Sequence, residues 1–353
     1  MTDSKVPSQL GYRMPAEWDA HESTWISWPK NPDSFPKDIL PDVEKSYLEM
    51  VSALHRVEKV NILVENEESE KKTRELLELG KVDGSNISFH KVPTADVWFR
   101  DYGPIFIVRP GPEGREIAYT HWIFNAWGDK YDDLKQDAQI PDRIPIKNMK
   151  EFKVPMVLEG GSIDTNGKGT FITTEQCLLN KNRNPQLGKA QIEKYLSDYL
   201  GATRIIWLRG GIEGDDTDGH VDDIARFVSN DTILCAVEKD ENDINYGVLK
   251  ENFAMLENAR DQDGKRLKVI ELPMPKAIVY NGIRLPGSYS NFYIANKTVL
   301  VPLFKDPNDA AALGIIQKCF PERSVIGINC RALVYGLGAI HCVTQQQPSI
   351  NNI

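Results

Sequence analysis

The chain has 353 residues, 41% hydrophobic and 26% charged, which is enough to bury a large core as one big domain or two ordinary ones. Segment Met1–Arg13 is polar, and no run approaches the roughly 18 apolar residues that span a bilayer, which argues against secretion and membrane insertion. The formal net charge of −9 argues against nucleic acid as a partner and suits a small cation. Five widely spaced cysteines without a Cys-x-x-Cys pair favour a reducing, cytoplasmic setting over a disulfide framework or zinc ribbon.

The front part of the chain predicts alternating strands and helices with two insertions. In chain order, the predicted elements are a strand over Thr24–Trp28, a helix over Pro41–Val57, a strand over Lys59–Val64, an extra helix over Glu67–Leu79 and a hairpin over Ile105–Ile117. The Pro- and Asp-rich stretch Asp129–Pro145 is interpreted as the second insertion and as a candidate lid.

The rest of the chain repeats one pattern three times. Two apolar runs are separated by Asn166-Gly167, Asn230-Asp231 or Asn296-Lys297, and Asn at such a turn is typical of a hairpin because it tolerates positive φ. Each hairpin precedes a helical pattern and a short strand: Gln186–Leu200 with Arg204–Leu208, Asn245–Ala259 with Lys268–Leu272, and Asp309–Phe320 with Ser324–Ile328. Five ββαβ units of about 60 residues therefore fit the chain.

A ring of five such units requires the last strand to return to the first unit. This favours a single pseudo-symmetric α/β domain over residues 1–353. A division into two domains near Pro141–Pro145 or Pro273–Pro275 stays open, although no long linker or low-complexity stretch marks a boundary.

Two motifs place polar side chains at predicted strand ends. In Val97–Pro104, Trp98, Arg100 and Asp101 precede a Gly-Pro turn, where they could form a structural corner or face a ligand. In Leu158–Gly161, Glu159 precedes two glycines, which mark a β-bulge or a close approach of a ligand to the backbone.

A third motif, Gly214–Asp223, combines an acidic run with one imidazole. His220 and Asp222 are two residues apart, so in a strand they face the same way. The acidic run, which includes Asp216, is otherwise typical of a solvated turn. A calcium loop fails because its first and twelfth positions would be Gly214 and Ala225, and a catalytic zinc site usually needs more histidines.

The fourth motif is the glycine-flanked apolar stretch Gly336–Thr344, which is predicted to be the strand that closes the ring. It carries Cys342, which taken alone is more typical of a small buried hydrophobe than of a nucleophile. His341 alternates to the opposite face and is interpreted as structural. All four motifs fall near the first strands of successive units, and a ring would gather them at one end of its axis.

Five stretches closely resemble the agmatine deiminase family: Met14–Trp18, Trp98–Pro104, Leu158–Ser162, Gly214–Asp222 and Ile340–Pro348. The resemblance spans residues 12 to 348 and implies the guanidine-modifying fold, a five-bladed pseudo-symmetric α/β propeller. One departure is Gly336–Ala339, where Leu337 and Ala339 stand in a segment that is often a glycine run in relatives.

The resemblance also implies a role for each motif residue. Cys342 is the nucleophile, His220 the general acid and base, and Asp101 with Asp222 clamp the guanidinium group. Glu159 orients His220, and two further residues line the substrate pocket, Trp98 and Asp216. The expected substrate is agmatine, with no cofactor and no metal, and the expected assembly is a homodimer or a higher homo-oligomer.

Two alternatives to agmatine deiminase remain open at this point. The first is an arginine or peptidyl-arginine deiminase; free arginine would need a cation for its carboxylate, for which Arg100 and Arg209 are candidates. A non-catalytic or metal-binding β-rich module would keep Cys342 as inert core.

Overall fold

The computed structural model describes residues 5–112, 114–146 and 149–351. Its strands are β1 His21–Ser27, β2 Lys59–Val64, β3 Ile87–Lys91, β4 Ile105–Gly111, β5 Gly114–Ile123, β6 Lys150–Val157, β7 Asp164–Thr165, β8 Thr170–Thr174, β9 Arg204–Leu208, β10 Ala225–Phe227, β11 Thr232–Val237, β12 Lys268–Pro273, β13 Ile278–Tyr280, β14 Ile283–Leu285, β15 Tyr293–Ile294, β16 Thr298–Leu303, β17 Ser324–Asn329 and β18 Gln345–Pro348.

The helices fall into two groups, single turns of 4 residues and helices of 11 to 15 residues. The four-residue turns and the longer helices are, in chain order, α1 Leu40–Leu54, α2 Glu67–Leu79, α3 Phe99–Tyr102, α4 Ala126–Asp129, α5 Ile140–Arg143, α6 Glu175–Leu178, α7 Lys189–Leu200, α8 Tyr246–Asn258 and α9 Asp309–Cys319. Short 3₁₀ helices cover Pro7–Leu10, Gly84–Asn86, Asp132–Gln139, Gly160–Ser162, Val221–Asp223 and Leu333–Gly336. No helix within the described ranges has the length and apolarity that crossing a membrane requires.

Five sheets share one topology, in which a central strand pairs antiparallel on one side and parallel on the other. Their strand orders are β18-β1-β2-β3, β4-β5-β6, β7-β8-β9, β10-β11-β12 and β15-β16-β17. This confirms the mixed α/β fold class and the repeated hairpins. In the hairpin of β4 and β5, residue 113 lies outside the described residues.

Long helices cross between the parallel strands because each has one apolar face. In α1 the buried positions include Val43, Tyr47, Met50 and Leu54, spaced three or four apart, and Pro41 lies in its first turn. The described residues of the second unit include no such helix. Its crossover from β5 to β6 runs through short helical turns over the predicted insertion, where Asp137 accepts backbone hydrogen bonds from Ala95 at 2.6 Å and Asp96 at 2.9 Å.

The end of the chain does return to the first unit, as predicted. Strand β18 pairs antiparallel with β1, and Gln345 lies opposite Trp25. The predicted location of Cys342 on this strand is wrong. Cys342 lies in the turn that precedes β18, because the apolar stretch before it folds into a 3₁₀ helix and turns, with Leu337 at a left-handed φ of 73°.

Candidate active site

A cavity of about 180 Å³ opens at the turns that precede or connect the sheets. Its lining combines carboxylates, aromatic rings and one thiol: Asn31, Asp33, Ser34, Asp96, Trp98, Asp101, Trp127, Tyr131, Asp133, Leu134, Asp216, Thr217, Tyr335, Gly336, Leu337 and Cys342. Three predicted motif residues, Trp98, Asp101 and Asp216, therefore share one cavity with the predicted nucleophile. Tyr131, Asp133 and Leu134 come from the predicted lid stretch.

Gly161 is the point on which three of the predicted side chains converge. A Cβ atom at this position would lie 2.6 Å from His220 Nδ1, 2.9 Å from Asp101 Oδ1 and 3.0 Å from Asp222 Oδ2. The Gly161 N–H also donates to Asp101 Oδ1 at 3.1 Å. Any side chain at position 161 would occupy the space that the three polar groups share. Glycine therefore allows these protein side chains to approach the backbone closely, and it does not mark a β-bulge.

Asp101 belongs to the single turn α3 and accepts a hydrogen bond from Trp127 Nε1 at 3.0 Å. Burial raises the pKa of its carboxyl to about 6, against the opposing effect of the nearby His220 ring. The neighbouring carboxylates of Asp222 and Glu159 raise the pKa further. A cationic ligand would therefore stabilise the ionised form of the Asp101 carboxyl.

Asp222 is fully buried and bonded to His341, whose Nδ1 lies 2.6 Å from Asp222 Oδ2. The other ring nitrogen of His341 lies 2.8 Å from Glu17 Oε2. Burial would raise the pKa of Asp222, but the His341 hydrogen bond leads the effects that hold it below its usual range. The predicted position of His341 on the opposite face is therefore wrong, because residues 336–344 do not form a strand.

His220 precedes the 3₁₀ helix Val221–Asp223, so the predicted strand through His220 and Asp222 is also wrong. The two side chains still meet, because the helical turn brings both toward Gly161. His220 Nδ1 lies 3.7 Å from Asp101 Oδ1, and Nε2 lies 3.9 Å from Glu159 Oε2. Burial opposes the charged ring, but Asp101, Cys177 and Glu159 hold the pKa of His220 well above its usual value.

Glu159 is buried beside Arg183, whose Nε donates to Glu159 Oε1 at 2.7 Å. Arg183 also bonds Asp218 at 2.5 Å and the Thr217 carbonyl at 2.7 Å, so it joins Glu159 to the acidic run. The acidic run is therefore not a freely solvated turn. Burial opposes ionisation of Glu159, but the Arg183 charge, followed by His220, lowers the pKa of its carboxyl below the usual value.

Four buried polar atoms at this convergence have no hydrogen-bond partner among the described residues: both ring nitrogens of His220, Asp222 Oδ1 and Glu159 Oε2. Buried polar groups are normally paired, so unpaired ones that lie together at a cavity indicate a place for a polar ligand or water.

Trp98 and Asp216 form other parts of the wall. A Cβ at Gly338 would lie 2.5 Å from the Trp98 ring and 3.2 Å from Cys342 Sγ, so the indole ring and the thiol both lie against this glycine. Asp216 accepts a hydrogen bond from the Tyr131 hydroxyl at 2.5 Å, which links the acidic run to the predicted lid stretch.

Trp127, Arg183 and Asn291 were not predicted from the sequence, and neither was the contact of His341 with Asp222. Asn291 directly precedes the hairpin of β15 and β16, so its position in the repeat matches those of the other motif residues. That equivalence was the available signal for Asn291. Trp127 and Arg183 lie in connections outside the repeated strands, and no pattern singles them out.

Comparison with known proteins identifies the family to which the chain belongs. The sequence profile of the Porphyromonas-type peptidyl-arginine deiminase family matches residues 13–348. The chain belongs to this family. As a member of the peptidyl-arginine deiminase family, it is 37% identical to the agmatine deiminase of Pseudomonas aeruginosa, with 98% of each chain covered.

Solved structures of family relatives show the same fold. An Enterococcus faecalis structure described as agmatine deiminase catalysing its reaction has a TM-score of 0.92, 33% identity and 99% coverage of each chain. A cysteine-to-serine variant of the C. jejuni agmatine deiminase with substrate bound has a TM-score of 0.86, 32% identity and 96% coverage of each chain.

Proposed function

We propose that this deiminase family member hydrolyses the guanidinium group of agmatine to N-carbamoylputrescine and ammonia. The observation that carries the proposal is the convergence of Asp101, Asp222 and His220 on Gly161, beside a cavity into which Cys342 opens. A guanidinium group is planar and cationic, and carboxylates that accept its N–H groups in pairs hold it in a fixed orientation. Asp101 and Asp222 serve as that pair.

The nucleophile in this mechanism is the Cys342 thiolate. Burial, followed by Asp222, Asp223 and Asp101, raises the pKa of the free thiol well above its ordinary value. A guanidinium held by two of these carboxylates offsets their charge, so the thiolate forms more readily when substrate is bound. Its attack on the central carbon forms a C–S bond and a tetrahedral intermediate.

His220 supplies the proton for the first leaving group. Because its pKa is raised, the ring is protonated near neutral pH. It donates that proton to one nitrogen of the intermediate, and this nitrogen leaves as ammonia. The remaining amidino group is bonded to sulfur. Neutral His220 then accepts a proton from water, the water oxygen bonds to the carbon, and the second tetrahedral species expels the thiolate with a ureido product. Glu159 holds the imidazole in place.

The cavity wall favours a cation at the far end of the substrate. Asp33, Asp96, Asp133 and Asp216 line it, and no Arg or Lys occurs among its described lining residues. Arg100 is buried and bonded to Gln346, and Arg209 pairs on the surface with Glu175 and Glu251. Neither lines the cavity, so the arginine alternative lacks its expected carboxylate partner, whereas the amine of agmatine would be attracted.

We further propose that the five sheets are the blades of a pseudo-symmetric propeller within one domain over residues 1–353. The shared topology and the pairing of β18 with β1 support this arrangement.

The five free cysteines fit a reducing cytoplasmic setting, where the chain would work as a homo-oligomer.

The direct test is a colorimetric assay for ureido product on agmatine, arginine and a peptidyl-arginine side by side. Agmatine is expected to be converted with the highest kcat/KM. A higher kcat/KM on either arginine substrate would reject the proposed specificity, and no ureido product from any of the three would reject the proposed function.

Asp101→Asn is expected to raise KM for agmatine about 10- to 150-fold with a smaller change in kcat. The amide keeps the shape of the carboxylate but loses one charge-assisted contact to the guanidinium group, and such contacts contribute about 1.5–3 kcal/mol. Steady-state kinetics check this. Asp263→Asn, an exposed position remote from the cavity lining, is the matched control and should leave KM unchanged. An unaltered KM in Asp101→Asn would contradict the clamp.

The acid side of the pH profile should report Asp101. Because its pKa in the free enzyme is raised to about 6, protonation below that pH removes the negative charge that holds the substrate. Because kcat/KM also rises with pH as the Cys342 thiol ionises, we expect the slope of log kcat/KM against pH to be one unit steeper below about pH 6 than above it. A slope that stays unchanged through pH 6 down to the usual Asp range would contradict this assignment, and Asp101→Asn should lose this change in slope.

A further inference from the structure

Asn291 lies fully buried just before β15, in contact with the predicted nucleophile. Its Oδ1 accepts hydrogen bonds from the backbone N–H groups of His341 at 2.9 Å and Cys342 at 3.4 Å. Its Nδ2 donates to Cys342 Sγ at 3.1 Å and to Asp223 Oδ1 at 3.1 Å. The two backbone donors fix the orientation of the amide, because a flipped amide would point its NH₂ group at them.

The other polar side chains around the sulfur disfavour a negative charge on it. Asp222 Oδ2 lies 3.8 Å from Sγ, and the carboxyl groups of Asp223 and Asp101 and the Tyr47 hydroxyl are the further titratable groups that act on the thiol. Among the described residues, Asn291 is the one side chain that donates a hydrogen bond to Sγ. A hydrogen bond to the charged form of a group lowers its pKa.

The Asn291 amide is held in place before substrate arrives. Ser288 Oγ donates to the Asp223 carbonyl at 2.7 Å, and Ser290 Oγ donates to the Ile224 carbonyl at 3.4 Å. These bonds tie the loop that carries Asn291 to the segment that follows Asp222. A donor fixed in this way stabilises developing charge without reorganising during the reaction.

We propose that Asn291 is a further catalytic residue, whose side-chain N–H stabilises the Cys342 thiolate. The reaction role rests on the proposed function: the sulfur carries negative charge before it attacks the guanidinium carbon and again when the second tetrahedral species expels it. The amide takes no part in proton transfer. Its effect is to enlarge the thiolate fraction and to stabilise sulfur as a leaving group.

A purely structural role, in which Asn291 only supports the backbone at residues 341 and 342, makes a different prediction. Loss of that support would lower stability without a selective change in thiol acidity. Asn252 provides the matched control. It is also fully buried, accepts from the Arg209 N–H at 2.9 Å and donates to the Gly210 carbonyl at 2.9 Å, but has no contact with Sγ.

The experiment compares wild type, Asn291→Ala and Asn252→Ala without substrate. Alkylation of Cys342 by iodoacetamide is followed across pH by mass spectrometry of the peptide, and thermal unfolding is measured in parallel. In Asn291→Ala the midpoint of the alkylation profile should rise by about one pH unit, the shift expected from losing a hydrogen bond to a charged group. Below the midpoint the rate should fall about threefold net, because the greater nucleophilicity of a more basic thiolate partly offsets its smaller fraction. Asn252→Ala should keep the wild-type profile even where it lowers the unfolding temperature.

An unchanged profile in Asn291→Ala, or an equal shift in both variants, would overturn the proposal. If Asn291→Ala does not fold, Asn291→Ser removes the amide but keeps a polar group, and the same criteria apply. Turnover supplies the second readout: in the variant that folds, kcat/KM at neutral pH should fall about threefold for the same reason, and the limb of its pH profile that rises as the thiol ionises should move to higher pH. Because the alkylation assay needs no substrate, a shifted midpoint in an enzyme inactive on agmatine would refute the proposed function while supporting the Asn291 assignment.

Discussion

Cys342→Ala is expected to lower kcat on agmatine by about 10⁴-fold or more, because removal of a covalent nucleophile leaves only the positioning groups. Agmatine should still bind, since the proposed clamp of Asp101 and Asp222 is intact and the alanine is smaller than the thiol. Steady-state kinetics measure the first effect, and calorimetric titration with agmatine measures the second.

Cys319→Ala is the matched control for this substitution. Cys319 is a half-buried free thiol at the end of α9, outside the cavity lining, and its removal should leave kcat unchanged. Ordinary turnover by Cys342→Ala would contradict the covalent mechanism. Equal loss in both variants would show an effect on folding and not on chemistry.

Gly161→Ala is expected to lower kcat/KM by about 10²-fold or more. The added methyl group would lie within 3.0 Å of His220 Nδ1, Asp101 Oδ1 and Asp222 Oδ2, so these groups must move apart. A displacement of about 1 Å at reacting groups is enough for a loss of this size. The loss should appear in both kcat and KM, because the clamp and the acid are displaced together.

Gly247→Ala tests whether the Gly161 effect is local. Gly247 lies in the first turn of α8, where an added Cβ meets nothing within 4 Å, so the alanine should favour the helix slightly and leave activity unchanged. Wild-type kcat/KM in folded Gly161→Ala would show that the three polar groups do not depend on their spacing around this glycine.

The elements that the sequence predicted well are those encoded locally. Helix α2 begins and ends where predicted, and its N-cap Asn66 accepts the backbone hydrogen bond of Ser69 at 3.0 Å. Strand β2 matches residue for residue. The hairpins at Asn166, Asn230 and Asn296 were predictable because the turn residue and the flanking apolar runs lie within a dozen residues of each other.

The errors fall where the backbone departs from regular structure at the site. Gly219, at a φ of 92°, permits a turn just before His220, where a strand was predicted. Cys342 lies in a turn because an apolar, glycine-rich stretch has no period that distinguishes a buried turn from a buried strand. Leu337 adopts a left-handed φ of 73°, a conformation that usually favours glycine. It stands in the segment where relatives often have a glycine run.

The contacts that the site residues make with one another could not be predicted from local sequence patterns. His341 meets Asp222 across 119 residues and Glu17 across 324, so both contacts depend on the tertiary fold. The resemblance supplied the identities of the motif residues, but not these contacts. Burial and charge at the site follow from tertiary packing, so the direction of each pKa shift required the structure.

The central claim is that Cys342 sulfur bonds to the guanidinium carbon of agmatine. Acid quenching during turnover, followed by peptide mass spectrometry, tests it most directly. We expect the Cys342 peptide to gain the mass of agmatine less ammonia, with no gain in the Cys177 peptide and no gain in the corresponding peptide of Cys342→Ala. Sustained turnover with Cys342 unmodified at every quench time, or the adduct on another residue, would contradict the account.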